Sequence, residues 1–177
     1  PPLPPSRLGP DLVCPGGAQE LGRKGPQAAD WLYQGEGMLG QILEALERNH
    51  LADNTLIIAT SDNGAEHRAY EPLRESKRSL YEGGHREPFI ARWPGKVPPG
   101  TESAALIALL DMPATFAALT GVKIPAGACR DSVNVLPALL GESKTAREYF
   151  IAHTGGMKGA VGVRVSNGKL IPGGGHG

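Results

Sequence analysis

The sequence has 177 residues, enough for one domain with a real core. Its 18 basic and 18 acidic side chains cancel, which leaves no electrostatic footprint for nucleic acid. No apolar run approaches the length that crosses a bilayer, and Cys14 and Cys129 are far apart and lack metal-ligand spacing.

Pro1 to Gly25 reads as loop, with too little apolar periodicity for a regular element. From about Ala28 to Asn49, the positions Leu32, Leu39, Ile42, Leu43 and Leu46 fall on one helical face, with Glu44 and Arg48 paired on the other side. Gly35, Gly37 and Gly40 each weaken that helix by up to about 1 kcal/mol relative to Ala, so its first half is expected to fray. Residues 55–60 form a strand. Its run Thr55 to Ala59 is wholly apolar or β-branched, the pattern of a strand buried on both faces, as in a parallel sheet. A second apolar strand covers 88–92, and Ala104 to Leu110 is a short stretch of strand or turn. Asp111 can cap a helix running to about Leu119, with Gly121 as its C-cap. Leu136 to Leu140 makes one helical turn, and Glu148 to His153 a strand.

The first strand stops at Ser61-Asp62-Asn63-Gly64. Two readings fit. Asn-Gly is among the commonest turn pairs. Equally, ligands of open α/β sheets bind beyond the carboxyl ends of strands, and Asp62 with Asn63 can offer two oxygens to a hard cation such as Ca²⁺. At a loop's distance follows Lys77-Arg78-Ser79-Leu80-Tyr81-Glu82-Gly83-Gly84-His85-Arg86-Glu87-Pro88, and the strand after it closes on Trp93-Pro94-Gly95. Together with Asp53-Asn54-Thr55, these blocks resemble the sulfatase family of the alkaline-phosphatase-like superfamily. Asp30-Trp31, Gly40-Gln41-Ile42-Leu43, the Asp111 helix start, Asp131 to Gly141 and Arg164 to Ile171 extend the likeness over nearly the whole chain.

The resemblance implies an α/β fold, with a mostly parallel sheet flanked by helices. It makes residues 1–145 the C-terminal part of a catalytic domain and 146–177 the start of a small α+β subdomain. It implies hydrolysis of sulfate monoesters carried by a sulfated small molecule or polysaccharide, in an exported protein. Asp62 and Asn63 become two ligands of one Ca²⁺ ion, and Lys77 a contact to the sulfate or leaving-group oxygen. His67, near the end of the metal strand, is a further candidate for facing substrate. Glu82 and Arg86 are expected to pin the loop, and Gly83-Gly84 to permit a close backbone approach. The family's early Asp ligands and its Cys-x-Pro-x-Arg motif, whose Cys becomes formylglycine, are absent here. Leu3 stands where the nucleophile of Leu3-Pro4-Pro5-Ser6-Arg7 belongs, and Cys14 lacks the Pro and Arg that follow. The nucleophile is therefore expected outside this chain. Glu36 and Glu87 depart from the family pattern, at positions usually Asp and apolar. Two other readings remain open: an alkaline-phosphatase-like phosphoester or phosphonate hydrolase, and a non-catalytic remnant or binding module.

Overall fold

The structure, a computed structural model, describes residues 27–66, 71–154, 159–165 and 167–172. The loop expected over Pro1–Gly25 and the candidate His67 lie outside those residues. The chain divides into two units, Pro1–Asp53 and Asn54–Gly177.

In the first unit, helix α1 spans Gln27–Arg48 without a break at Gly35, Gly37 or Gly40. The expected fraying is therefore corrected. Each glycine keeps its backbone donor and acceptor, and helix propagation is cooperative over so many turns. Leu39, Leu43 and Leu46 are half-buried, whereas Ile42 is exposed. At the end of α1, Leu51 N donates to Leu46 O at 2.9 Å while His50 turns left-handed at φ 56°, a 6→1 closure of the last turn.

The second unit carries two small sheets. Strand β1, Ile57–Thr60, pairs antiparallel with β2, Phe89–Arg92, in the register Ile57↔Arg92 to Thr60↔Phe89. Strands β3 (Tyr149–His153), β4 (Val161–Val165) and β5 (Gly168–Leu170) form an antiparallel meander. Among the described residues every strand pairing is thus antiparallel, and the mostly parallel sheet is not present. The reason is physical: an apolar run signals burial but not the direction of its partner. β1 is also only half-buried, with Thr60 exposed, rather than covered on both faces.

In the chain, α2 is the single turn Glu82–His85 between β1 and β2. A 3₁₀ turn at Leu109–Asp111, where a strand was one expectation, leads into α3, Met112–Thr120, and α4 is Leu136–Leu139. Gly121 closes α3 at φ 70°, as its sequence position suggested. Asp111 does something other than cap α3. Its side chain makes no capping bond to that helix. Fully buried, it accepts from Ala108 N (2.9 Å), Val133 N (3.0 Å) and Arg147 Nη2 (2.6 Å). The same Arg147 nitrogen donates to Asp131 O. Thr115 Oγ1 donates to Asp111 O at 2.8 Å and accepts from Val135 N at 3.0 Å, so buried hydrogen bonds tie α3 to the segment that starts α4. Among the described residues, no helix is long and apolar enough to cross a membrane.

Candidate active site

The end of β1 is shaped by local bonds. Ser61 Oγ donates to Asn63 O at 3.2 Å, and Asn63 Nδ2 donates to Asp62 Oδ1 at 2.8 Å. The chain thus bends at Asp62-Asn63-Gly64, as the turn reading expects, and the bend presents both side chains. Asp62 is exposed and Asn63 half-buried. Asp62 Oδ2 and Asn63 Oδ1 take no part in these two bonds, and such oxygens are hard donors of the kind Ca²⁺ takes.

Gly64 locks this turn onto α2. Its N–H donates to Gly84 O at 3.0 Å, and a Cβ placed on it would stand 1.7 Å from Gly83 O. Gly83 is equally confined: its N–H donates to Arg74 O at 2.9 Å, and a Cβ there would stand 2.0 Å from Glu75 O. The close approach expected of the Gly83-Gly84 pair is thus made to two neighbouring loops at once. Lys77 joins the same assembly, because its N–H donates to Ala65 O at 2.9 Å.

Around this backbone knot an open cleft of about 380 Å³ is lined by Asn63, Lys77, Arg78, His85 and His153, among others. The structure therefore brings Asn63 and Lys77 together, with Asp62 on the adjoining turn. Lys77 Nζ lies 3.7 Å from Glu66 Oε2, and Arg78 Nη2 3.0 Å from Glu66 Oε1. Sequence reasoning passed over Glu66, which sits in a loop with no motif to single it out.

Glu87, expected as a charge at a strand edge, stands just before β2 with Oε1 buried and unpartnered among the described residues. Burial raises its carboxyl above the usual range, and the Asp62 charge adds to that rise. Among the described residues, no group of three or more His, Cys, Asp or Glu could hold a metal by itself. The donors fit part of a Ca²⁺ shell, which takes about six to eight oxygens.

Glu82 does pin its loop, and with more partners than Arg86. Arg86 Nη1 lies 3.8 Å away, but Arg164 Nη1 from β4 lies at 2.5 Å and Lys169 Nζ from β5 at 3.0 Å. Burial pushes the Glu82 carboxyl up, yet the Lys169 hydrogen bond and the charges of Lys169 and Arg164 outweigh it, holding the group below the carboxylate range. Lys169 Nζ also lies 2.5 Å from His85 Nε2, while His85 Nδ1 faces Ser79 O at 3.4 Å. A carbonyl can only accept and an ammonium only donate, so the partners assign a neutral ring protonated at Nδ1. Burial first, and the Lys169 charge next, depress the pKa of His85 to match.

The sequence profile of the family described as Sulfatase matches residues 29–122, more than half of the chain. The chain belongs to the sulfatase family. An N-acetylgalactosamine-6-O-sulfatase of Bacteroides thetaiotaomicron is 38% identical over 150 residues, covering 76% of this chain and 28% of its own length. Human N-acetylgalactosamine-6-sulfatase is 37% identical, covering 70% and 24%, and human arylsulfatase A 34% identical, covering 86% and 31%. Among solved structures, Ps i-CgsB with k-i-k-neocarrahexaose superposes at a TM-score of 0.78 with 27% identity, covering 94% of this chain and 39% of that one. A structure from glycosaminoglycan metabolism in Bacteroides thetaiotaomicron gives 0.73 with 34% identity, covering 81% and 32%. This sulfatase chain thus spans about a quarter to two fifths of the length of the proteins it matches. The profile match contains Asp62, Asn63, Lys77 and Glu82, whereas Arg147, Arg164 and Lys169 lie beyond it.

Proposed function

We propose that this chain is part of a sulfuric-ester hydrolase of arylsulfatase type, whose nucleophile, a formylglycine, is supplied by residues outside it. The observation that carries the reading is the meeting of Asn63 and Lys77 on one cleft beside the Asp62 turn. The net reaction adds water across the ester, releasing an alcohol and sulfate. A sulfate monoester repels an oxygen nucleophile, so its charge must be neutralised where it builds up. Asp62 and Asn63 would hold one Ca²⁺, which when bound supplies Lewis-acid polarisation and a template for the sulfate oxygens. Lys77 would turn from Glu66 to a sulfate or leaving-group oxygen, adding a compact positive charge there. His67 is a second candidate contact to substrate. Ca²⁺ ligands beyond Asp62 and Asn63 would come from outside this chain.

Its relatives, which include N-acetylgalactosamine-6-sulfatases, support a sulfated sugar or polysaccharide as substrate, with a sulfated small molecule as the alternative. We further propose that the parallel partners of β1 are supplied by residues outside this chain, that residues 146–177 open the small C-terminal subdomain, and that the protein is exported. The test is hydrolysis of an aryl sulfate by the full-length polypeptide that contains this chain. Turnover that depends on calcium supports the reading. Hydrolysis of an aryl phosphate in preference to the sulfate sinks it in favour of a phosphoester hydrolase.

A further inference from the structure

Glu82 opens the turn whose next two residues, Gly83 and Gly84, carry the carbonyls packed against Gly64. Its carboxylate is served from far along the chain: Arg164 is 82 residues on and Lys169 is 87. The three side chains are 24%, 20% and 14% exposed, so the cluster is largely withdrawn from water. One carboxylate needs one cation for neutrality. Here it has Arg164 and Lys169 close by with Arg86 at 3.8 Å, and Lys169 directs a further N–H to His85, which lines the cleft with Asn63 and Lys77. The groups facing His85 are Glu82 from α2, Lys169 from β5, Arg164 from β4, the Ser79 carbonyl, and the Phe150 ring of β3 with centroids 6.0 Å apart.

We propose that Lys169 is a positioning residue of the candidate active site. Through Glu82 it seats the Gly83-Gly84 peptides under Gly64, and through His85 Nε2 it fixes which tautomer that ring presents to the cleft. It touches no reacting atom in this scheme. Its action runs from the C-terminal hairpin to the metal turn by way of one carboxylate and two glycine peptides. The consequence for turnover rests on the sulfatase reading given above, whereas the consequence for the ring does not.

The test uses the full-length polypeptide labelled with ¹⁵N-histidine, with the His85 resonances assigned through His85→Gln. Wild type should show a ring protonated at Nδ1 that stays neutral below the ordinary histidine range. In Lys169→Met the titration midpoint of His85 should rise by about one unit. The kcat for an aryl sulfate should fall about tenfold while KM stays within about twofold. Lys169→Arg, which keeps the charge on Glu82, should retain kcat within about threefold. If Lys169→Met does not fold, Lys169→Gln serves with the same readouts. A wild-type midpoint for His85 in the variant, or an unchanged kcat, overturns the proposal. A parent protein that cleaves no sulfate ester sinks the proposed function instead, and the His85 midpoint, which needs no turnover, still decides the part played by Lys169.

Discussion

Lys77 Nζ stands 3.7 Å from Glu66, with 31% of its side chain exposed, so this is a surface ion pair worth at most about 1 kcal/mol. A sulfate dianion or monoester can displace it. Lys77→Ala in the full-length protein should lower kcat about a hundredfold and leave the melting temperature nearly unchanged, because the lysine contributes charge rather than packing. Lys77→Arg should recover only part of that loss, since a planar fork replaces a compact ammonium. Unchanged turnover and KM in Lys77→Ala would make it a surface lysine. Asp111 behaves oppositely. Its partner Arg147 is 8% exposed and Asp111 itself is fully buried, so Asp111→Ala strands a guanidinium and leaves the amides of Ala108 and Val133 unmet. The expected cost is about 3–5 kcal/mol, read as a lowered denaturation midpoint. Gly64→Ala should damage the site as well, because the methyl group meets backbone and no side chain can swing aside. A destabilisation of about 2–3 kcal/mol with weakened calcium binding is expected.

At the scale of elements, the junction between α2 and the β4–β5 hairpin should be sensitive to acid. His85 has a depressed folded pKa, so the unfolded chain binds its proton more readily, and stability is lost as pH falls through the ordinary histidine range. Glu82 is also held low, and its contribution is present above the usual carboxylate range and lost as pH falls through its lowered folded value. Thermal melting from pH 8 downward should therefore weaken first near the histidine range and again at lower pH, and Lys169→Met should shrink both effects. An acid profile identical in the variant counts against this junction. The sequence made the strands at 57–60, 89–92 and 149–153 legible, because each is a short apolar or alternating run with turn residues at its ends. It also pointed to the closeness of Gly83-Gly84. The direction of the β1 pairing was not legible, since apolar runs carry no sign. Nor were the partners of Glu82, which lie more than eighty residues away on a hairpin whose charged positions look like an ordinary solvated face. Asp111 was misjudged for a related reason: an Asp before a helix reads as a cap, and only the fold reveals Arg147 beside it.

For the molecule as a whole, Asp62 and Asn63 are too few donors for a calcium shell. The isolated 177-residue chain should therefore bind Ca²⁺ weakly or not at all, and should not turn over an aryl sulfate. In the full-length protein, a chelator should abolish turnover and lower the melting temperature, by linkage between binding and folding. Tight calorimetric binding to the isolated chain that survives Asp62→Ala overturns the assignment. The bond from Lys77 N to Ala65 O has a consequence for how such a protein can diversify. It clamps the two ends of the intervening segment at 2.9 Å, directly beside the turn that carries Asp62 and Asn63. A loop closed at its base can lengthen at little thermodynamic cost, about 0.6 kcal/mol for each doubling. A change of length between Ala65 and Lys77 should therefore leave the backbone anchor of Lys77 in place. A two-residue insertion beside Glu71 in the full-length protein should leave kcat within about threefold, and a larger loss would show that the clamp does not shield the lysine.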